Sequence, residues 1–243
     1  MNFEIPPTST QDLNLNKDTS QPIRLESAIL SPCGMIRSLD VDPLIGEPPE
    51  TKGHLSPDFA IEMLYEGNRR FTQNKAIHPH QNSFRLDEVA NGQNPFATIL
   101  GCADSRVPVE VVFDRGLGDL FVIRNAGNIV TDTAGGSVEY GAFVLGTKVI
   151  LVLGHSRCGA IKGAIKNIPL PGQINSILNL VKPAVDSTIN SPGDRVTNAV
   201  VANIRNQIDL LKSSKVLSEL IAMGELKIVG GFYDLDTGVV IPV

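Results

Sequence analysis

From Ala97 onward the chain repeats one pattern, a short apolar run that stops at Gly or a polar residue and gives way to a stretch of helical spacing. That alternation is the signature of parallel β-α units, because parallel strands need helical crossovers and are buried by them. The expected strands cover 97–101, 120–124, 148–154 and 226–230, with helices over 136–145, 159–166, 174–185, 196–211 and 216–223. A last run, 239–243, follows the turn Asp236-Thr237-Gly238 and reads as an antiparallel edge. The expected fold class is α/β, a mostly parallel four-stranded sheet with an added edge strand and helices on both faces.

Ahead of this region Ser56-Pro57-Asp58 writes a helix start: a capping hydroxyl, a proline in the first turn and an acid at the positive end of the dipole. The helix is expected to run to about residue 74, with Phe59, Ala60, Met63, Leu64 and Phe71 on its apolar face. Residues 1–53 hold seven of the sixteen prolines and no sustained apolar period, so they read as an irregular N-terminal arm. Residues 54–243 read as a single domain.

Composition narrows the function. Lys and Arg number 21 against 26 Asp and Glu, a net of −5, with no basic block dense enough to follow a phosphate backbone, so nucleic acid is not an expected partner. Three cysteines make no even disulfide framework, and no apolar run reaches membrane-spanning or secretory length. A soluble, cytoplasmic protein in a reducing compartment is expected. Leu30-Ser31-Pro32-Cys33 faintly suggests lipid attachment at Cys33, but Pro32 and the lack of an apolar stretch upstream argue against it.

The segments that carry chemistry are Gly101-Cys102-Ala103-Asp104-Ser105-Arg106 and Gly154-His155-Ser156-Arg157-Cys158-Gly159. Both stand where an apolar strand stops, and in an open parallel sheet such ends line the ligand crevice. Two thiols and an imidazole form a soft three-ligand set that suits Zn²⁺ and leaves one tetrahedral position open, as catalytic zinc requires. Cys33, His54, His78 and His80 are the remaining Cys and His residues, none in paired spacing with that set. Arg106 is spaced to hold Asp104 bidentately and ionised, ready to accept a proton-bearing oxygen at the metal. Taken alone, the same pair is a helix cap and a surface ion pair. Gly116-Leu117-Gly118 and Gly135-Gly136 lack the spacing of a phosphate-binding loop and read as turns or close-packing positions. Arg124-Asn125 reads two ways, as an anion contact or as a tie for its loop.

Cys-x-Asp-x-Arg followed about fifty residues later by His-x-x-Cys, with Gly101–Pro108, Gly118–Asn128, Gly136–Gly141 and Gly154–Lys162 around them, resembles the β-class carbonic anhydrases over about residues 55–243. The resemblance implies an N-terminal helical arm that grips a partner, a homodimer or higher homo-oligomer, and one Zn²⁺ per subunit near the subunit interface. It implies reversible hydration of CO2 to bicarbonate by attack of zinc-bound hydroxide. By the same likeness Cys102, His155 and Cys158 match the metal ligands, and Asp104 and Arg106 the catalytic pair. Gln93 matches the amide that binds substrate; Phe121, Ala126 and Tyr140 match the apolar wall, Ala126 standing where some members carry Val. The chain has no Trp, which argues against the second bicarbonate site that some members build with one. Asp104 closing onto zinc at low pH stays open. The alternatives are a carbonyl sulfide or carbon disulfide hydrolase on the same scaffold, and a non-catalytic zinc-binding homologue.

Overall fold

The structure is a computed structural model and describes residues 55–243. The expected arm, the Cys33 attachment and His54 lie outside the described residues. Five strands, β1 (Ala97–Cys102), β2 (Leu120–Asn125), β3 (Val149–His155), β4 (Lys227–Tyr233) and β5 (Val240–Pro242), form one sheet in the order β2-β1-β3-β4-β5. The first four run parallel and β5 is antiparallel to β4, so the expected α/β class with its added edge strand is what the chain adopts. The helices are α1 (Pro57–Thr72), α2 (Ser83–Val89), α3 (Val109–Val112), α4 (Asp132–Glu139), α5 (Gly159–Lys166), α6 (Ile174–Ser187), α7 (Arg195–Lys212) and α8 (Lys215–Ala222). Among them none is long and apolar enough to cross a membrane.

Strands β1 and β3 are buried at every residue, because layers cover both faces. Leu100, Cys102, Ile150 and Val152 pack against residues of α4 to α8, including Val138, Ile161, Val181, Val200, Ile204 and Leu217. Ala97, Ile99, Val149, Leu151 and Leu153 pack against Ala60 and Leu64 of α1 and Val109 and Val112 of α3. The alternation follows from the two-residue strand period.

Helix α1 starts as expected, with Ser56 Oγ accepting the Phe59 amide at 3.2 Å, and stops two residues short of residue 74, where Asn74 turns left-handed. Its buried stripe is Ala60, Leu64, Gly67 and Asn68; Phe59, expected on the apolar face, is exposed. Within that stripe Gly67 lets the helix approach the Phe113 main chain, where a Cβ would stand 1.8 Å from the carbonyl oxygen. Beside it Asn68 donates to the Val112 and Gly238 carbonyls and accepts the Val240 amide, joining α1 to α3 and β5. The Asp236-Thr237-Gly238 turn lies between β4 and β5 as expected, with Gly238 at φ +75°.

Two glycine readings separate here. Gly116 and Gly118 are tight loop positions, whereas Gly135 and Gly136 lie inside α4, which begins at a Thr131 cap and ends in a π-helical turn over Tyr140–Val144. The Thr131 hydroxyl, accepting the Ala134 amide, starts the helix four residues earlier than periodicity placed it.

At the other end of the sheet, wholly buried Asp114 accepts Arg70 Nε at 2.6 Å and the amides of Ile77 and His78 at 3.1 and 2.9 Å. Burial pushes its carboxyl up, and the Arg70 and amide hydrogen bonds together outweigh burial, holding it below its ordinary value. A depressed folded value contributes stability in full above the unfolded value, about 3.9, and loses it as pH falls through the folded one. Asp114→Asn is therefore expected to cost about 3 kcal/mol near neutrality and to flatten the acid limb of stability. Urea unfolding at pH 7 and pH 3 measures both, and a variant as stable as wild type at pH 7 would refute the assignment.

Candidate metal centre

Adjacent parallel strands β1 and β3 end side by side, and each ends on a ligand-type residue, Cys102 and His155. The chain then turns through Ser156 and Arg157, the latter left-handed at φ +58°, and Cys158 becomes the N-cap residue of α5. The two Sγ atoms and an imidazole nitrogen thus lie within 4.8 Å of one another, all three residues buried. The structure therefore brings together Cys102, His155 and Cys158.

The donor chemistry of this trio fits a soft divalent cation. His155 Nδ1 lies 2.9 Å from the Ser156 carbonyl oxygen, which only accepts, so Nδ1 carries the proton and Nε2 presents its lone pair. Nε2 is buried without a hydrogen-bond partner among the described residues, an arrangement that costs free energy unless something electrophilic meets it. The two sulfurs are near neighbours. Interaction with Cys158 holds the Cys102 thiol down, to about 4, against the opposing effect of burial, and the same interaction together with burial pushes the Cys158 thiol far up. Two crowded buried thiols and an imidazole nitrogen left without a partner are what a divalent ion would relieve together. The Gly127 amide also donates to Cys102 Sγ at 3.5 Å.

Asp104 stands at the rim. Its Oδ1 accepts the Arg106 amide at 3.0 Å and Arg106 Nε at 2.9 Å, and its Oδ2 accepts the Arg106 guanidinium at 2.8 Å. The Arg106 hydrogen bond, against partial burial, holds the carboxyl well below the usual range. Oδ2 is 3.8 Å from His155 Nε2, so the ionised oxygen borders the trio. Of the two readings for Arg124-Asn125, the tie is the one observed: Arg124 donates to the carbonyls of Cys102 and Asp104, and Asn125 closes the 125–129 loop through both main-chain groups of Ile129. The second ligand loop is fastened by Ser156 to Tyr233 and Leu235 and by the bidentate Arg157–Asp236 pair.

The expected substrate residues divide. Ala126 is half-buried beside Gly127, next to the trio. Phe121 and Tyr140 pair with ring centroids 6.0 Å apart, but Phe121 is in register with Thr98, four residues before Cys102, about 13 Å down the strands. Gln93 is exposed in the segment leading into β1. A single chain thus brings Ala126 to the trio and leaves Gln93, Phe121 and Tyr140 away from it. Sequence reasoning missed Gly127, Asn203 and Gln207; the available signal was two amides spaced i, i+4 on the otherwise apolar stripe of α7.

A family model described as carbonic anhydrase matches residues 97–240. The chain is 40% identical to carbonic anhydrase 2 of Mycobacterium tuberculosis over 188 residues, 75% of this chain and 91% of that one. It is 34% identical to the carbonic anhydrase of Mycolicibacterium smegmatis, with the same coverage. Among solved structures it is similar to a tetrameric β-carbonic anhydrase of Sordaria macrospora, with a TM-score of 0.63 and 28% identity over 75% of this chain and 96% of that one. It is also similar to the Coccomyxa β-carbonic anhydrase in complex with acetazolamide, with a TM-score of 0.61 and 29% identity over 73% of this chain and 83% of that one.

Proposed function

Because the chain belongs to the β-class carbonic anhydrase family and is therefore an enzyme of the lyase kind, we propose that it hydrates CO2 reversibly to bicarbonate and a proton at one Zn²⁺ per subunit, held by Cys102, His155 and Cys158. The observation that carries the reading is the orphaned, buried Nε2 of His155 set within 4.8 Å of two thiol sulfurs, with an ionised carboxylate at its rim. Zn²⁺ in such a donor set is a Lewis acid that eases deprotonation of water, less strongly than with three neutral imidazoles because two thiolates offset its charge, which puts activity on the alkaline side.

Asp104 is the orienting acceptor. Kept ionised by Arg106, its Oδ2 takes a hydrogen bond from the attacking water and turns that oxygen's lone pair toward the carbon of CO2. The apolar side chains of Phe121 and Ala126 and the ring of Tyr140 suit a substrate without a net dipole and hold its charged product weakly. The Gln93 amide donates to a substrate oxygen. The distance between the Phe121–Tyr140 pair and the trio supports a homo-oligomer in which a second copy brings these residues to the site. The outer edge of β2, unpaired among the described residues, and exposed Tyr140 and Phe143 offer the surface for it. Catalysis belongs to residues 54–243, and Cys102 and Cys158, free thiols among the described residues, suit a reducing, cytoplasmic setting.

Stopped-flow CO2 hydration across pH, with zinc quantified in the same sample, tests the reading. About one zinc per chain is expected, with turnover rising toward alkaline pH. Zinc-loaded protein that leaves CO2 untouched, or that turns over carbonyl sulfide or carbon disulfide instead, would overturn the substrate assignment.

A further inference from the structure

Behind the metal trio, on its side of the sheet, two buried amide side chains from α7 form a directional relay. Gln207 Oε1 accepts the Val130 amide at 2.7 Å, and Gln207 Nε2 donates to Asn203 Oδ1 at 3.1 Å. Asn203 Nδ2 donates to the Gly127 carbonyl at 3.0 Å, and the Gly127 amide donates to Cys102 Sγ at 3.5 Å. Asn203 and Gln207 are 1% and 2% exposed. A main-chain N–H fixes one end of the relay and a main-chain carbonyl the other, so reversing either amide would set acceptor against acceptor or donor against donor. The relay therefore has one orientation.

The geometry of its target explains why a relay is needed. Gly127 is left-handed at φ +82°, and a Cβ there would meet Val181 and Ala160 at 3.1 and 3.2 Å, so the loop comes close to α5 and α6 with little room to adjust. Asn125 closes the 125–129 loop internally, but the bonds to Gly127 and Val130 come from α7. The Gly127 carbonyl and N–H belong to adjacent peptide planes joined at its Cα, so a hold on the carbonyl limits the φ and ψ through which the flexible glycine aims its N–H at sulfur.

We propose that Asn203 and Gln207 are positioning residues for the metal centre, holding the Gly127 N–H on Cys102 Sγ and so setting how much charge that thiolate donates to a bound metal. The inference rests on the proposed metal-dependent function. Outer partners that orient a ligand typically govern metal affinity by ten- to a hundredfold.

Zn²⁺ affinity by chelator competition, and the thiolate-to-metal charge-transfer band of the Co²⁺-loaded full chain, test it. Asn203→Leu, which removes both of its bonds while keeping its size, is expected to weaken Zn²⁺ about tenfold or more and to shift the Co²⁺ band. Gln207→Met, which leaves the Asn203–Gly127 bond in place, is expected to act in the same direction by about threefold, below that outer-partner range because it removes only the far half of the relay. Leu211→Ala, one turn further along the buried stripe of α7, loses packing only and is expected to lower the melting temperature with affinity and band unchanged. Wild-type affinity and an unshifted band in Asn203→Leu overturn the relay; if that variant does not fold, the same result in Gln207→Met overturns it. Wild-type protein that takes up neither metal overturns the proposed function itself, whereas a loaded wild type with indifferent variants overturns the relay alone.

Discussion

Cys158→Ser is expected to empty the metal centre, with zinc per chain falling close to background after dialysis and CO2 hydration falling with it. The affinity loss should exceed the ten- to hundredfold that outer partners govern, because a ligand atom itself is exchanged for a harder, weaker donor. The substitution nearly conserves volume at a residue 1% exposed, and the N-cap position it occupies accepts Ser readily, so the fold should survive. Metal analysis beside circular dichroism separates loss of zinc from loss of structure. Undiminished zinc in the folded variant would remove Cys158 from the ligand set.

Asp104→Asn is expected to do the reverse, keeping the metal and losing about a hundred- to ten-thousandfold in kcat, the scale set by positioned side chains that hydrogen-bond the reacting group. Asn matches the shape of Asp but carries no charge for Arg106 to hold, and one of its two side-chain atoms at the rim becomes a donor. The three bonds that now fix the carboxylate would be reduced to those a single oxygen can accept. Kinetics and zinc content from one preparation decide the matter. Full turnover at normal metal content would exclude Asp104 from the reaction.

The sheet was legible in sequence because strands buried on both faces are nearly continuous apolar runs, and 97–101 and 148–154 are so apart from Thr98 and Lys148. Their true ends lie one residue later, at Cys102 and His155, because pairing of Cys102 with Asn125 and of His155 with Tyr233 is decided by neighbouring strands and not by local pattern. Helix α2 carried no apolar period to read, since none of its residues is buried and Phe84 and Leu86 face outward. Helix α3 is a single turn after Pro108. The close-set trio was readable from two motifs at strand ends. Asn203 was not, because its partner is a main-chain carbonyl 76 residues away. Gln93, Phe121 and Tyr140 were reachable by likeness alone, since nothing local to them points toward a metal.

The order of strands has a further consequence. Cys102 and His155 close two interior strands, covered on both sides, whereas Phe121 belongs to β2, at the border of the sheet among the described residues. Backbone opening by small fluctuations begins at borders and reaches the middle last, so amides of β1 and β3 belong to the most protected unit and those of β2 to a looser one. On the proposed assignment, the grip on the ion and the fit around the gas molecule would then reside in strands of unequal rigidity, so that variation could reshape the second without loosening the first.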